Sequence, residues 1–123
     1  MKNVVAAIIK KNTKYLIAKR NRNKHLGLKW EFPGGKVELN ETFEEALIRE
    51  IKEELSISIN INRKIAEENF KDDKINVKLH YFECVHTSGE IILNEHEDYA
   101  WIEKKDFYNY DFAEGDRDIL SLL

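Results

Sequence analysis

Three glutamates, Glu50, Glu53 and Glu54, stand beside Arg49 at the end of the segment GGKVELNETFEEALIREIKEE. On a helix turning about 100° per residue, Glu53 lies roughly 60° to one side of Glu50 and Glu54 roughly 40° to the other, so three oxygen donors share one arc. Holding two such charges about 4 Å apart costs on the order of 4 kcal/mol at an effective dielectric near 20. A divalent cation turns that repulsion into attraction, and hard oxygen ligands favour Mg²⁺ or Mn²⁺ over zinc. The ordinary alternative is a solvated acidic helix face. The stripe Phe43, Leu47, Ile51 and Leu55 weighs against it, because Glu50 and Glu54 project beside that apolar stripe and not opposite it. Carboxylates at the edge of a buried face need partners, and Arg49 alone cannot neutralise three. From residue types and spacing alone, both readings stay open.

The elements that must position these groups are legible nearby. Thr42 is suited to cap a helix, and Glu45 three residues later completes a capping box, so the spacing predicts a helix over 43–55. Upstream runs Trp30-Glu31-Phe32-Pro33-Gly34-Gly35-Lys36, with the only proline of the chain and its only adjacent glycines. It reads as a short strand over 30–32 followed by a sharp loop. There, backbone carbonyls or amides can approach a ligand with no side chain in the way.

Together these residues make a pattern. A Gly, a Glu, Arg-Glu, an aliphatic residue, Glu-Glu and a second aliphatic residue fall on Gly35, Glu41, Arg49, Glu50, Ile51, Glu53, Glu54 and Ile57. The spacing resembles the signature of the Nudix hydrolases. One position departs: Ser56 stands where the family has a glycine that ends the helix in a left-handed conformation. A serine there costs about 1 kcal/mol of stability and replaces no metal ligand.

The resemblance implies an α/β fold, an α/β/α sandwich around a mixed β-sheet. It also implies a Mg²⁺-dependent hydrolase, with Mn²⁺ able to substitute, that splits a nucleoside triphosphate into a monophosphate and pyrophosphate. By the same resemblance Glu50, Glu53, Glu54, the carbonyl of Gly34 and Glu95 hold the metal. Arg49 orients a carboxylate, and the general base is Glu53, with Glu50 or Glu95 as alternatives.

The likeness extends along the chain. Val4 to Ile9, a polar turn from Lys10 to Lys14 and Tyr15 to Ala18 followed by Lys19-Arg20 look like the opening hairpin of the MutT-like branch, as does the WEFPGGK run. Glu95 lies a few residues before Trp101, as a glutamate-bearing loop does in that branch. Arg20 and Lys36 are candidates for the phosphates, Phe32, Leu79 and Tyr81 for the base pocket, and Asp116 for the base edge. An ionised Asp only accepts hydrogen bonds, which suits the N4 amino group of cytosine. A protonated one can also donate, as oxidised guanine requires. Where this chain has Asp116, the oxidised-guanine member that defines the branch has asparagine. The expectation is therefore a (d)CTP or modified cytidine substrate, with 8-oxo-dGTP as the alternative and a non-catalytic nucleotide-sensing module as the alternative of another class.

Composition agrees. One domain over 1–123 is expected, burying roughly two-thirds of the extended chain's surface. Charged residues make up 35% of the chain, yet the net charge is only −3, which gives no field for a nucleic-acid polymer. No apolar run approaches the roughly 20 residues of a membrane span and the start lacks a signal-peptide pattern, so a cytoplasmic protein, monomer or homodimer, is expected. Cys84 sits in an apolar-rich run and reads as a packed strand residue. His25, His80, His86 and His96 lack metal-ligand spacing and read as surface or strand residues, with His96 near enough to Glu95 to approach a substrate. Further strands are expected at 3–10, 14–20, 57–70, 75–86 and 98–103, a helical turn over 104–108 and a terminal helix over 116–123 capped at Gly115-Asp116.

Overall fold

The computed structural model describes residues 1–123. Strand β1 (Lys2–Lys11) runs through the middle. Its run Val4 to Ile9 is apolar without alternation because both its faces are covered. Val5, Ala7 and Ile9 point into one core and Ala6 and Ile8 into the other. β2 (Lys14–Lys19) returns through a turn in which Asn12 takes a left-handed φ of 57°. β5 (Ser58–Lys71) and β6 (Asn76–Ser88) form a long antiparallel ribbon, joined by a turn in which the Asp72 carboxylate accepts from the amides of Lys74 and Ile75. β6 lies parallel to β1, from Lys2 opposite Val77 to Ile9 opposite Cys84, which makes the sheet mixed. β7 (Asp98–Glu103) pairs with β2.

The WEFPGGK run differs from expectation. β3 (Trp30–Glu31) pairs with β2, but Gly34–Lys36 is a strand, β4, antiparallel to β1, and not a sharp loop. Pro33 marks the place where the chain leaves one strand partner for another. It has no N–H to place, and its carbonyl accepts from the Ala7 amide at 2.8 Å.

Helix α1 (Phe43–Leu55) has the expected bounds and a complete capping box between Thr42 and Glu45. It lies across β1, β4 and β5 and buries Ala46, Leu47, Ile51 and Leu55 against Val5, Ile9, Phe82 and Cys84. Burying each of the larger side chains stabilises the fold by roughly 1.5–3 kcal/mol. The opposite sheet face is covered by the 3-10 turn Lys104–Asn109, the short helix α2 (Glu114–Arg117) and a 3-10 turn over Asp118–Leu122. There Phe107, Phe112 and Ile119 pack on Ile17, Phe32, Leu79 and Tyr81. The expected terminal helix with a Gly115-Asp116 cap is thus corrected. α2 starts at Glu114, its N-cap Ala113 makes no side-chain bond, and only one turn is α-helical. Asp116 is not a cap because its carboxylate turns inward to the Phe32 amide.

Candidate active site

The site is built where α1 crosses β4. A Cβ on Gly34 would lie 1.9 Å from the Val5 carbonyl oxygen, and one on Gly35 would lie 2.3 to 2.7 Å from the Glu50 carboxylate. Glycine at 34 lets β4 press onto β1. Glycine at 35 lets a carboxylate lie directly on the strand's backbone.

Arg49 organises the acidic face. Its Nε and Nη2 grip Glu41 at 2.6 and 2.9 Å, Nη2 also donates to the Lys36 carbonyl at 3.0 Å, and Nη1 donates to Glu50 at 2.9 Å and Glu53 at 3.3 Å. The planar fork thereby fixes helix, loop and β4 together. Its hydrogen bond, helped by the Glu38 amide, holds the Glu41 carboxyl down at about 2. Glu41 belongs to the sequence pattern, but only the fold shows that it is the arginine's main partner.

The three helix glutamates have different surroundings. Glu54 is 5% exposed, and its buried Oε1 has no hydrogen-bond partner. Burial, reinforced by Glu31, Glu50 and Glu95, pushes its pKa up to about 9. Burial also raises Glu50, against the opposing pull of Arg49. Glu53 is more open, its side chain 56% exposed. Glu95 enters from the loop before β7, with Lys24 Nζ 3.5 Å away. No three of the chain's His, Cys, Asp and Glu side chains close around one point, and Glu50 and Glu53 turn to Arg49. The donor set nevertheless fits a divalent cation. A desolvated carboxylate oxygen without a partner, ringed by other carboxylates, lacks the positive charge that burial of such a group requires.

Gly34, Glu50, Glu53, Glu54, Glu95, Arg20 and Lys36 all line one cleft of about 1010 Å³. Arg20 donates to Glu31 at 2.7 Å and to the His25 carbonyl at 2.9 Å. Phe32, Leu79, Tyr81 and Asp116 are not on its wall but behind it, at most 9% exposed and packed in the second core. The Asp116 carboxylate accepts from the Phe32 amide at 3.0 Å and the Tyr81 hydroxyl at 2.5 Å. Burial, with Glu31 nearby, raises its pKa to about 7, while those two hydrogen bonds pull the other way.

Sequence reasoning missed Glu31, which lines the cleft. Burial opposes its ionisation, but the His96 hydrogen bond and the Arg20 charge outweigh that and hold its pKa below the ordinary value. His96 is buried with Nε2 2.8 Å from Glu31, away from the cleft wall. Ile75 and Val77 supply apolar wall. Ile75 stands just before β6 and Val77 within it, and which side of the sheet opens there was not legible in the sequence. Cys84 is a buried strand residue whose thiol burial pushes up to about 12.

The NUDIX domain family model matches residues 1–123. The chain is 32% identical to the CTP pyrophosphohydrolase of Escherichia coli strain K12, over 98% of this chain and 89% of that protein. It is 35% identical to the nucleoside triphosphatase NudI of Escherichia fergusonii, over 98% of this chain and 95% of that protein. Among solved structures, the MutT NUDIX hydrolase from Burkholderia pseudomallei matches with a TM-score of 0.89 at 25% identity, over 98% of this chain and 95% of that one.

Proposed function

The chain belongs to the Nudix hydrolase family, and from that premise we propose that it hydrolyses a nucleoside triphosphate, with (d)CTP or a modified cytidine nucleotide preferred, to a monophosphate and pyrophosphate. Nudix hydrolases generally require a divalent metal, and here we assign that role to Mg²⁺, with Mn²⁺ able to substitute. The observation that carries the reading is the buried, partnerless oxygen of Glu54 on the floor of a cleft lined by five more glutamates and two glycine backbones. The cytidine preference rests on the similarity to the CTP pyrophosphohydrolase. Asp116 gives it little support, because the carboxylate is buried behind the cleft wall and both oxygens already accept hydrogen bonds.

In this reading Glu50, Glu54, Glu95 and the Gly34 carbonyl hold the cation, and Glu53 shares in it. When bound, the cation neutralises phosphate oxygens and makes a water molecule more acidic. Glu53 removes the proton from the water that attacks phosphorus, because it is the most solvent-open of the three helix carboxylates and is held only at one oxygen by Arg49. Arg49 is a positioning residue, not a contact to substrate. Arg20 and Lys36, both on the cleft wall, pair with phosphate oxygens, and Val4, Ile75 and Val77 offer the apolar surface for the base.

The test is pyrophosphate release with Mg²⁺ on CTP, dCTP, 5-methyl-dCTP and 8-oxo-dGTP. The expected result is the highest kcat/KM on a cytidine nucleotide. Preference for 8-oxo-dGTP overturns the base assignment, and tight nucleotide binding without turnover overturns the hydrolase reading in favour of a sensor.

A further inference from the structure

Helix α1 ends in an unusual junction. Ser56 closes it with a left-handed φ of 59°, and the next elements to satisfy its last carbonyls come from far along the chain. The Ile92 amide donates to the Leu55 carbonyl at 2.9 Å and the Asn94 amide to the Glu54 carbonyl at 3.0 Å. The Asn94 side chain spends one N–H on the Glu53 carbonyl at 2.8 Å and the other on Ser56 Oγ at 2.9 Å. Both side-chain donors of Asn94 are therefore engaged, and the amide has one orientation. The residue that follows is Glu95, and the two that precede Ser56 in the acidic run are Glu53 and Glu54. The same backbone carbonyls that carry the helix glutamates thus anchor the loop that brings the fourth.

We propose that Ser56 and Asn94 are positioning residues that set Glu95 against the helix glutamates, Ser56 Oγ locking the Asn94 side chain across the end of α1. The inference rests on the reading of Glu95 as a ligand. With glycine at 56 the second Asn94 N–H loses its acceptor, and the Glu53 carbonyl alone holds the amide across the end of α1. The serine strains the helix end while ordering the loop, so its effects on stability and on the cation site have opposite signs. A residue that merely stabilises the fold would move both in the same direction.

Mn²⁺ binding to the nucleotide-free protein, measured by calorimetry and by the electron paramagnetic resonance of free Mn²⁺, tests this beside thermal melting. Removing a group that orients a ligand typically weakens metal binding by about 10- to 100-fold. Ser56→Gly is expected to weaken Mn²⁺ binding several-fold while its melting temperature holds or rises. Asn94→Ala should weaken it about tenfold, and the double variant should be no weaker than Asn94→Ala alone, because the two act through one bond. Wild-type affinity in Ser56→Gly, with Glu95→Gln weakened, overturns the positioning role while leaving Glu95 a ligand. Unchanged affinity in Glu95→Gln overturns the ligand reading, and the inference with it. Losses that track melting temperature across all variants reduce the pair to a structural role.

Discussion

Glu53 and Asp116 show how two carboxylates on one chain acquire different work. Glu53 is 56% exposed at its side chain, with one contact to Arg49, so an amide in its place keeps size and packing but cannot take a proton. Glu53→Gln is expected to lower kcat by about 10²- to 10⁴-fold, read by steady-state pyrophosphate release, with an unchanged melting curve. Near-wild-type turnover would remove Glu53 from the role of base. Asp116 holds its proton more tightly folded, with a pKa of about 7, than in an unfolded chain at about 3.9. Between those values the folded state binds more protons than the unfolded one, so stability falls as pH rises from about 4 to about 7. Asp116→Asn removes this contribution. Its oxygen can still accept from Phe32 and its amino group can face the Tyr81 hydroxyl, which already lies 3.0 Å from the Gly115 carbonyl. Urea unfolding at several pH values should show a flatter profile in the variant across that window. An identical slope would mean that Asp116 is ionised throughout.

At the scale of elements, α1 and β4 carry the site, and each has a residue that cannot be exchanged cheaply. Thr42 and Glu45 exchange backbone and side-chain bonds at 2.9 and 3.0 Å at the start of α1. Thr42→Ala should cost about 1 kcal/mol, seen as a melting temperature lower by roughly 4 °C. Turnover at temperatures well below melting should hold, since the acidic residues lie at the other end of the helix. Gly34→Ala is a different case. Its Cβ would meet the Val5 carbonyl at 1.9 Å, so β4 must part from β1. Loss of both stability and activity is expected, by circular dichroism melting and the same assay, and an unaffected variant would show that β4 adapts without strain. The capping box could be read from a four-residue pattern because it is a local exchange of bonds. β4 could not, because two glycines and a lysine have little strand propensity, and only β1 beside them makes them a strand.

For the whole molecule, the two cores on either side of the sheet place three glutamates of the cleft, Glu31, Glu50 and Glu54, in partial or full burial, and no lysine or arginine pairs with Glu54. A divalent ion that binds only the folded state should raise its stability by about 2.7 kcal/mol at a concentration 100 times its Kd. Thermal melting with and without Mg²⁺ should therefore show a rise in the wild-type protein. Glu54→Gln should melt higher than wild type in chelator and gain less from Mg²⁺. Equal gains in both proteins would place the cation away from Glu54. No helix of the structure is long and apolar enough to cross a membrane.

The sequence by itself determined α1, its cap, the left-handed serine at its end, the strands over 58–71, 76–88 and 98–103 to within a residue or two, and the family. These are local matters of period, capping and motif spacing, written in neighbouring residues. The tertiary structure alone decided which polar groups face the cleft and which are spent inside. Tyr81 and Asp116 satisfy each other behind the wall, His96 and Arg20 fix Glu31, and Asn94 reaches back to the end of α1. Those pairings join residues from 11 to 65 positions apart. A hydrogen bond between them exists only once the sheet has set its register, and nothing in the local pattern records it.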